Sequence, residues 1–417
     1  MRSKFSVRNA RNPVLGQFGT FDVENYGDLL YPVLFKKMLE QRRKNGDVAK
    51  FSIRGSNSLQ DSGYRTRPVR DLFSRRGERP GTLVVGGGDL LHIQWDTVVS
   101  YYRSLCREEG EDLRPGRWRR RWLRLVNKPR DEDTEFRRRY LNYPAVGPFM
   151  IKPNRLIKSV AYCSCGVPSP FDEIVGREVA NTFDRASFIY VRDNQSKENL
   201  TRAGVEKEIH VAPDLIVALS DFFDGAVERE KGRKLLREGG INTDRPILIF
   251  QCHVQAPEFA DKIVEQLKAH QARNDCEVVL VPLGGCHGDR EFLKDLAQRS
   301  AGAFKYVELR SIFDIISVLA ACDVFAGTSM HGNITAFSFG IPHVFGPLNL
   351  TKREGFLEIA GLPQDVKLET WEELNAALEL ALNRGSGFFQ NRLDTAKQRV
   401  NEVFDKLCRA INAEERH

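Results

Sequence analysis

Four short segments of this 417-residue chain join glycine to polar or ionisable residues: GTFDVENYGD (19–28), GGGDLLH (86–92), YVRDNQS (190–196) and GTSMHGN (327–333). Each follows a short apolar run, so each reads as a loop at the carboxyl end of a strand, where open α/β sheets collect ligands. They bring forward Asn25, Asp28, Gly87, Gly88, Asp89 and Arg192, and later Thr328, Ser329, His331, Gly332 and Asn333. His287 in GGCHGD (284–289) stands in a fifth segment of the same kind. Thr328, Ser329 and His331 open a helix, and a helix N-terminus offers free N–H groups and partial positive charge, which suit an anion. Bland readings compete. Glycine clusters at strand ends form tight turns, Arg192 has Asp193 beside it as an ion partner, and His331 can bond a backbone carbonyl. The triple glycine has the spacing of neither a dinucleotide nor a P-loop fingerprint.

The elements that must position these residues alternate strand and helix. NPVLGQFG, KFSI, TLVVGGGDLL, KSVAYCSCG and FIYVRD read as strands, with EIHVAPDLIVAL closing the first half. Asp28 is expected to cap a helix with Leu30, Leu34 and Met38 on one face, and Ser196 to cap another that stops at Gly204. The polar stretch 221–245 reads as a linker containing a helix, after which the alternation restarts at RPILIFQCH. A helix from Met330 to Phe339 ends at Gly340 with Pro342 beyond it, a regular stop signal. The expectation is an α/β protein of two facing Rossmann-like, doubly wound domains, 1–220 and 246–417, with a central cleft and the last helix returning to the first domain.

Composition narrows the class. Hydrophobic residues make up 41% of the chain and aromatics 10%, enough for packed cores. No apolar run approaches the ~20 residues of a membrane span, and the basic N-terminus lacks the apolar stretch of a secretory signal. The eight cysteines sit mostly in apolar runs and read as reduced thiols of a cytoplasmic protein. Cys163 and Cys165 form a C-x-C with no second pair at metal spacing, so no metal is expected. The net charge of +7 is local: residues 101–155 hold 15 Lys/Arg against 8 Asp/Glu, and the rest of the chain is balanced. Within that insertion (103–155), Trp118, Trp122 and Leu125 share a helical face and arginines fill the remainder. That composition fits peripheral contact with an anionic membrane through 114–139. It fits equally tryptophans packed on the domain with arginines solvated or paired to DEDTE (131–135). Nucleic acid is not expected, because the charge is one short segment.

In order, the motifs resemble the polysaccharide pyruvyl transferase family, whose pattern is a G-x-x-x-x-N-x-G-D start, a GGG strand end, V-R-D-x-x-S and a late Ser-Arg-x-His helix start. They stand here as Asn25-Tyr26-Gly27-Asp28, Gly86-Gly87-Gly88-Asp89, Val191-Arg192-Asp193-Asn194-Gln195-Ser196 and Thr328-Ser329-Met330-His331, followed by Gly340-Ile341-Pro342. The resemblance spans about residues 14 to 360. It implies a glycosyltransferase-B-like architecture and transfer of a pyruvyl group from phosphoenolpyruvate to a sugar, forming a cyclic ketal without metal or redox cofactor. Ser329 stands where the family has arginine; the helix N-terminus, Lys352 or Arg353 would have to compensate.

The implied chemistry assigns roles. Arg192 grips the donor's carboxylate or phosphate bidentately, with Thr328, Ser329, Gly332, Asn333, Lys352 and Arg353 also on the donor side. His331 protonates the donor methylene as general acid. Asp89, and after it His287, takes the proton of the attacking sugar hydroxyl. Asn25, Asp28, Gly87 and Gly88 face the acceptor, a polysaccharide or lipid-linked precursor at the inner face of a membrane. Two other readings remain: a nucleotide-sugar glycosyltransferase of the same architecture, against which the sequence lacks paired glutamates seven residues apart near Glu354, and a non-catalytic carbohydrate- or lipid-binding relative.

Overall fold

The computed structural model describes residues 15–43, 47–56, 62–74, 80–114, 132–143, 145–255, 257–285, 288–347 and 350–414. Its strands are β1 (Leu15–Phe18), β2 (Val48–Ser52), β3 (Arg67–Pro68), β4 (Thr82–Gly86), β5 (Ser159–Cys165), β6 (Phe188–Val191) and β7 (His210–Val211) in one sheet. The second sheet holds β8 (Ile247–Gln251), β9 (Glu277–Leu280), β10 (Lys305–Tyr306), β11 (Val324–Gly327) and β12 (His343–Phe345). Between the strands run α1 (Tyr26–Arg42), α2 (Trp95–Glu108), α3 (Glu132–Tyr140), α4 (Glu173–Phe183), α5 (Asn194–Arg202) and α6 (Gly225–Glu238). In the second half come α7 (Pro257–Asn274), α8 (Asp289–Arg299), α9 (Ile312–Ala321), α10 (Met330–Ser338), α11 (Leu350–Ala360) and α12 (Leu374–Glu414).

Both sheets are parallel in every paired strand, with orders β3-β2-β1-β4-β5-β6-β7 and β10-β9-β8-β11-β12. Each order reverses direction beside its first strand, at β1/β4 in one sheet and β8/β11 in the other. These are the topological switch points, where flanking loops diverge to opposite faces and leave a crevice. Short strands such as β4, β5 and β8 are buried along their length, as parallel strands covered by helices must be.

The apolar packing is shared between the halves. Leu30, Leu34 and Met38 of α1 belong to the same buried cluster as Ile249, Leu319 and Phe337. A second cluster covers the opposite face of the first sheet with Phe18, Phe51, Tyr102, Phe136 and Phe183. The 41-residue α12 kinks at Gly385, and its far end reaches α1: Phe404 lies edge-on to Phe35 at 5.3 Å, and Arg42 donates to Asn401 at 2.8 Å.

Several local expectations are corrected. Asn25, not Asp28, caps α1, its side chain accepting from the Gly27 N–H at 3.1 Å; Asp28 falls in the first turn. Asp193, not Ser196, caps α5, and the Ser196 hydroxyl instead accepts from the Val167 N–H at 2.8 Å. EIHVAPDLIVAL, which closes the first half, divides: after β7, Pro213 and Asp214 lead into a 3₁₀ turn over Leu215–Asp221, capped by Asp214. The 221–245 stretch holds the helix α6, which packs on the second half. Gly232 of α6 lies so close to Ser317 of α9 that a Cβ would sit 1.9 Å from its carbonyl oxygen, and Arg229 donates to Asp323 at 2.6 Å.

In the basic insertion, 115–131 lies outside the described residues, and Trp118, Trp122 and Leu125 with it. The flanking helices are packed: Phe136 and Tyr140 of α3 are buried, and Arg103, Arg107, Arg137 and Arg138 pair with Asp133, Glu132, Asp96 and Glu135. Among the described residues no helix is long and apolar enough to cross a membrane.

Candidate active site

The loop after β1 meets the loop after β9. Residues 24–26 run beside the second domain's 283–285: the Tyr26 N–H donates to Leu283 at 3.0 Å, the Gly285 N–H donates to Glu24 at 3.1 Å, and Arg290 is ion-paired with Glu24. Tyr26 and Thr335 join their hydroxyls at 2.9 Å. Beside this seam opens a cleft of about 290 Å³, walled by Thr20, Asn25, Asp28, Gly88, Asp89, Leu90, Ile93 and Arg192 from the first half. The second half contributes His253, Ser329, Met330, His331 and Lys352.

The cleft's charges centre on Asp89. One of its oxygens takes a hydrogen bond from Arg192 and the other is ion-paired with Lys352. Burial works against its charge, but Arg192 and Lys352 outweigh it and hold the carboxyl below the usual range. Arg192 is only 5% exposed and also has Asp214 at 3.8 Å and Asp193 at 3.9 Å. Burial alone would lower its pKa, yet these carboxylates raise it, so it stays charged. Gly166 makes the pairing possible, because a Cβ there would lie 2.0 Å from an Asp89 oxygen and 2.8 Å from the Arg192 Nε.

His331, in the first turn of α10, rests against the first turn of α1. A Cβ on Gly27 would fall 1.8 Å from its Nδ1, so the glycine of N-x-G-D is the space the imidazole occupies. Its Nε2 is 3.9 Å from Asp214. Burial lowers the His331 pKa, with Arg192 and Lys352 adding to that and Asp214 and Asp89 opposing it. Nearby His253 is pushed down to about 4 by burial and Lys352. Asp28 moves the other way. Although its surface is only partly covered, loss of water raises it to about 7, with Asp89 adding repulsion against the Thr20 hydrogen bond and the two cations.

Of the residues singled out from sequence, Asn25, Asp28, Gly88, Asp89, Arg192, Ser329, His331 and Lys352 therefore line one cleft. Others do not reach it. The Thr328 hydroxyl accepts from the His253 N–H at 2.9 Å and positions that loop. Gly332 packs against Leu283 and Phe325, and Gly87 against the Tyr31 ring. Asn333 is fully buried and donates to Gly327 and Ser329 carbonyls at 2.8 and 2.9 Å. Arg353, 1% exposed, donates to Gly346 and Leu368 carbonyls at 2.7 and 2.6 Å, and so holds a loop together rather than facing a donor. Ser329 caps α10 through the Gly332 N–H at 3.2 Å. His287 lies outside the described residues. Sequence reading missed Asp214 and Gly166; the Ala-Pro-Asp at the end of β7 was the available signal for the former. Asp89, expected to act as a base, has each oxygen held by a cation, which disfavours proton uptake.

The sequence profile described as "Polysaccharide pyruvyl transferase" matches residues 25–345. No curated protein sequence matches the chain. Among solved structures, HepE of Anabaena, in complex with UDP and glucose, superposes with a TM-score of 0.53 at 12% identity, covering 96% of this chain and 99% of that one. A glycosyltransferase from Rickettsia africae ESF-5 gives 0.53 at 12% identity, covering 97% and 98%. At that identity the likeness is one of fold, and it is glycosyltransferase-B-like.

Proposed function

The chain belongs to the polysaccharide pyruvyl transferase family, and from that premise we propose that it transfers the pyruvyl group of phosphoenolpyruvate to a sugar of a polysaccharide or lipid-linked precursor, closing a cyclic ketal. At the coarser level it is a transferase of the polysaccharide-modifying kind. The observation that carries the finer reading is the pair of cations, Arg192 and Lys352, converging in a cleft walled by both domains. A small donor with a carboxylate and a phosphate needs two cations close together. Lys352 supplies the one that Ser329 does not, and the N-terminus of α10 adds its N–H groups.

In this reading Arg192 and Lys352 hold the donor's anionic groups and His331 faces its methylene. The lowered pKa of His331 suits the role only with the donor present, because a bound phosphate and carboxylate favour the imidazolium. Asp214, near both Arg192 and His331, positions the two relative to each other.

The neighbouring fold of HepE, solved with UDP and glucose, keeps a nucleotide-sugar glycosyltransferase as the second reading. Calorimetry on the purified chain separates them. Phosphoenolpyruvate should bind and UDP should not; micromolar UDP binding with no response to phosphoenolpyruvate would establish the second reading.

A further inference from the structure

A second cavity, of about 250 Å³, adjoins the cleft between the 20–28 loop and α2, with Val98, Tyr101, Tyr102 and Phe149 in its wall. It shares Thr20, Asn25, Asp28 and Ile93 with the cleft. Asp28 is the one ionisable residue common to both linings. On one side of it stand Asp89, Arg192, His331 and Lys352; on the other the walls are aromatic and aliphatic. A sugar ring has one apolar face, and stacking on a tyrosine with its hydroxyls turned outward is the ordinary way such a face is held.

Resting on the pyruvyl transferase reading, we propose that the apolar cavity seats the acceptor sugar and that Asp28 is the catalytic base for its hydroxyl. Protons balance over the two steps. The first hydroxyl oxygen bonds to the central carbon of the donor, its proton passes to the Asp28 carboxylate, and His331 delivers a proton to the methylene. The second hydroxyl oxygen then attacks the same carbon and returns a proton to His331. As that bond forms, the ester bond between the carbon and the phosphate oxygen breaks, and protonated Asp28 hands its proton to the departing phosphate. Both groups end as they began, and a diol and phosphoenolpyruvate have become a ketal and phosphate.

The surroundings of Asp28 agree with this use. Asp89 from the loop after β4, Arg192 from that after β6 and Lys352 of α11 face it, along with the Thr20 hydroxyl and the phenols of Tyr64 and Tyr102. Burial brings its carboxyl near neutrality, the range in which a general base works best. Asp89, tied to two cations, is held below that range.

The test uses the full chain with aspartate carboxyl carbons labelled with ¹³C, the Asp28 signal being identified by its loss in Asp28→Asn. A midpoint near 7 is expected; an ordinary carboxylate midpoint of about 4 overturns the proposal. In parallel, phosphate release from phosphoenolpyruvate is followed with a p-nitrophenyl β-galactoside as acceptor probe. Asp28→Asn should lower turnover by about 10²–10⁴-fold with donor affinity kept within a few fold. Asp28→Glu should restore part of it with a displaced pH profile. Tyr101→Ala should raise the acceptor KM and leave donor affinity alone. An Asp28→Asn enzyme keeping more than about a tenth of its turnover, a loss well below the usual effect of a missing base, also overturns the proposal. Absence of phosphoenolpyruvate binding to the unaltered chain would instead remove the reading beneath it, whatever Asp28 titrates at.

Discussion

At the scale of single residues, the cleft is governed by how unequal neighbours share charge. Arg192 is held by Asp89, Asp214 and Asp193 in a nearly closed pocket, so its planar fork has one orientation. Arg192→Lys keeps the charge and loses that geometry. Its affinity for phosphoenolpyruvate should fall by about 10–100-fold, the scale of one or two charge-assisted hydrogen bonds, as read by calorimetry. Asp28 makes a second prediction, in stability. Its folded pKa is raised, so the folded state holds a proton the unfolded chain has released. The contribution is present below the unfolded pKa of about 4 and is lost as pH rises through about 7. Asp28→Asn should therefore melt roughly a few degrees higher than the parent at pH 8, and the difference should vanish near pH 4. A constant offset at both values would show that Asp28 titrates normally.

At the scale of elements, the site depends on two helix starts brought into contact. The first turn of α1 presents Asn25, Gly27 and Asp28, and the first turn of α10 presents Ser329 and His331; Gly27 is where they touch. Gly27→Ala would place a methyl 1.8 Å from the unshifted imidazole, so His331 must move. Displacing a catalytic group by about 1 Å is enough to cost on the order of 10²-fold in turnover. We expect that loss in kcat, with phosphoenolpyruvate affinity changed far less because Arg192 and Lys352 stand on other elements. Equal losses in both would mean that the two helix starts separate. The caps explain why sequence placed these turns slightly wrongly. Asn25 and Asp28 are both good capping residues three positions apart, and only the bond from the Gly27 N–H to Asn25 decides between them.

At the scale of the molecule, the two sheets are tied by α1, by the far end of α12 and by the seam at 24–26 and 283–285. The basic insertion stands outside this frame. Its described helix α3 packs beside α2 through ion pairs and through Phe136 and Tyr140 in the core, while the tryptophans of the expected membrane contact through 114–139 lie outside the described residues. If Trp118 and Trp122 meet lipid, the purified chain should sediment with anionic vesicles and much less with neutral ones. Binding should weaken with salt, because the attraction decays over about 8 Å at physiological ionic strength. Replacing both tryptophans by alanine should abolish it with little change in melting temperature. A parent chain that never binds vesicles, with a double variant melting many degrees lower, would assign both tryptophans to packing.

The alternation of short apolar strands with amphipathic stretches was enough to read two parallel doubly wound sheets, because burial on both faces demands that pattern. The same logic placed Asn25, Asp28, Gly88, Asp89, Arg192, Ser329 and His331 at strand ends, the family resemblance added Lys352, and all of them line one cleft. Tertiary structure alone decided how they divide the work. Arg353 is next to Lys352 in sequence, yet one helical step of about 100° turns it from the cleft into two backbone carbonyls. Asn333, two residues beyond His331, is likewise turned under the loop. Asp214 stands in an Ala-Pro-Asp that marks a chain turn, but only the folded structure makes it the carboxylate near both Arg192 and His331. The contrast between Asp28 and Asp89 has the same origin. Both are aspartates after glycine, and only the packing of distant chain segments pairs one with two cations and sets the other at the edge of a largely apolar cavity. A carboxyl's proton affinity is set by the charges and water around it, and those come from residues far away in sequence.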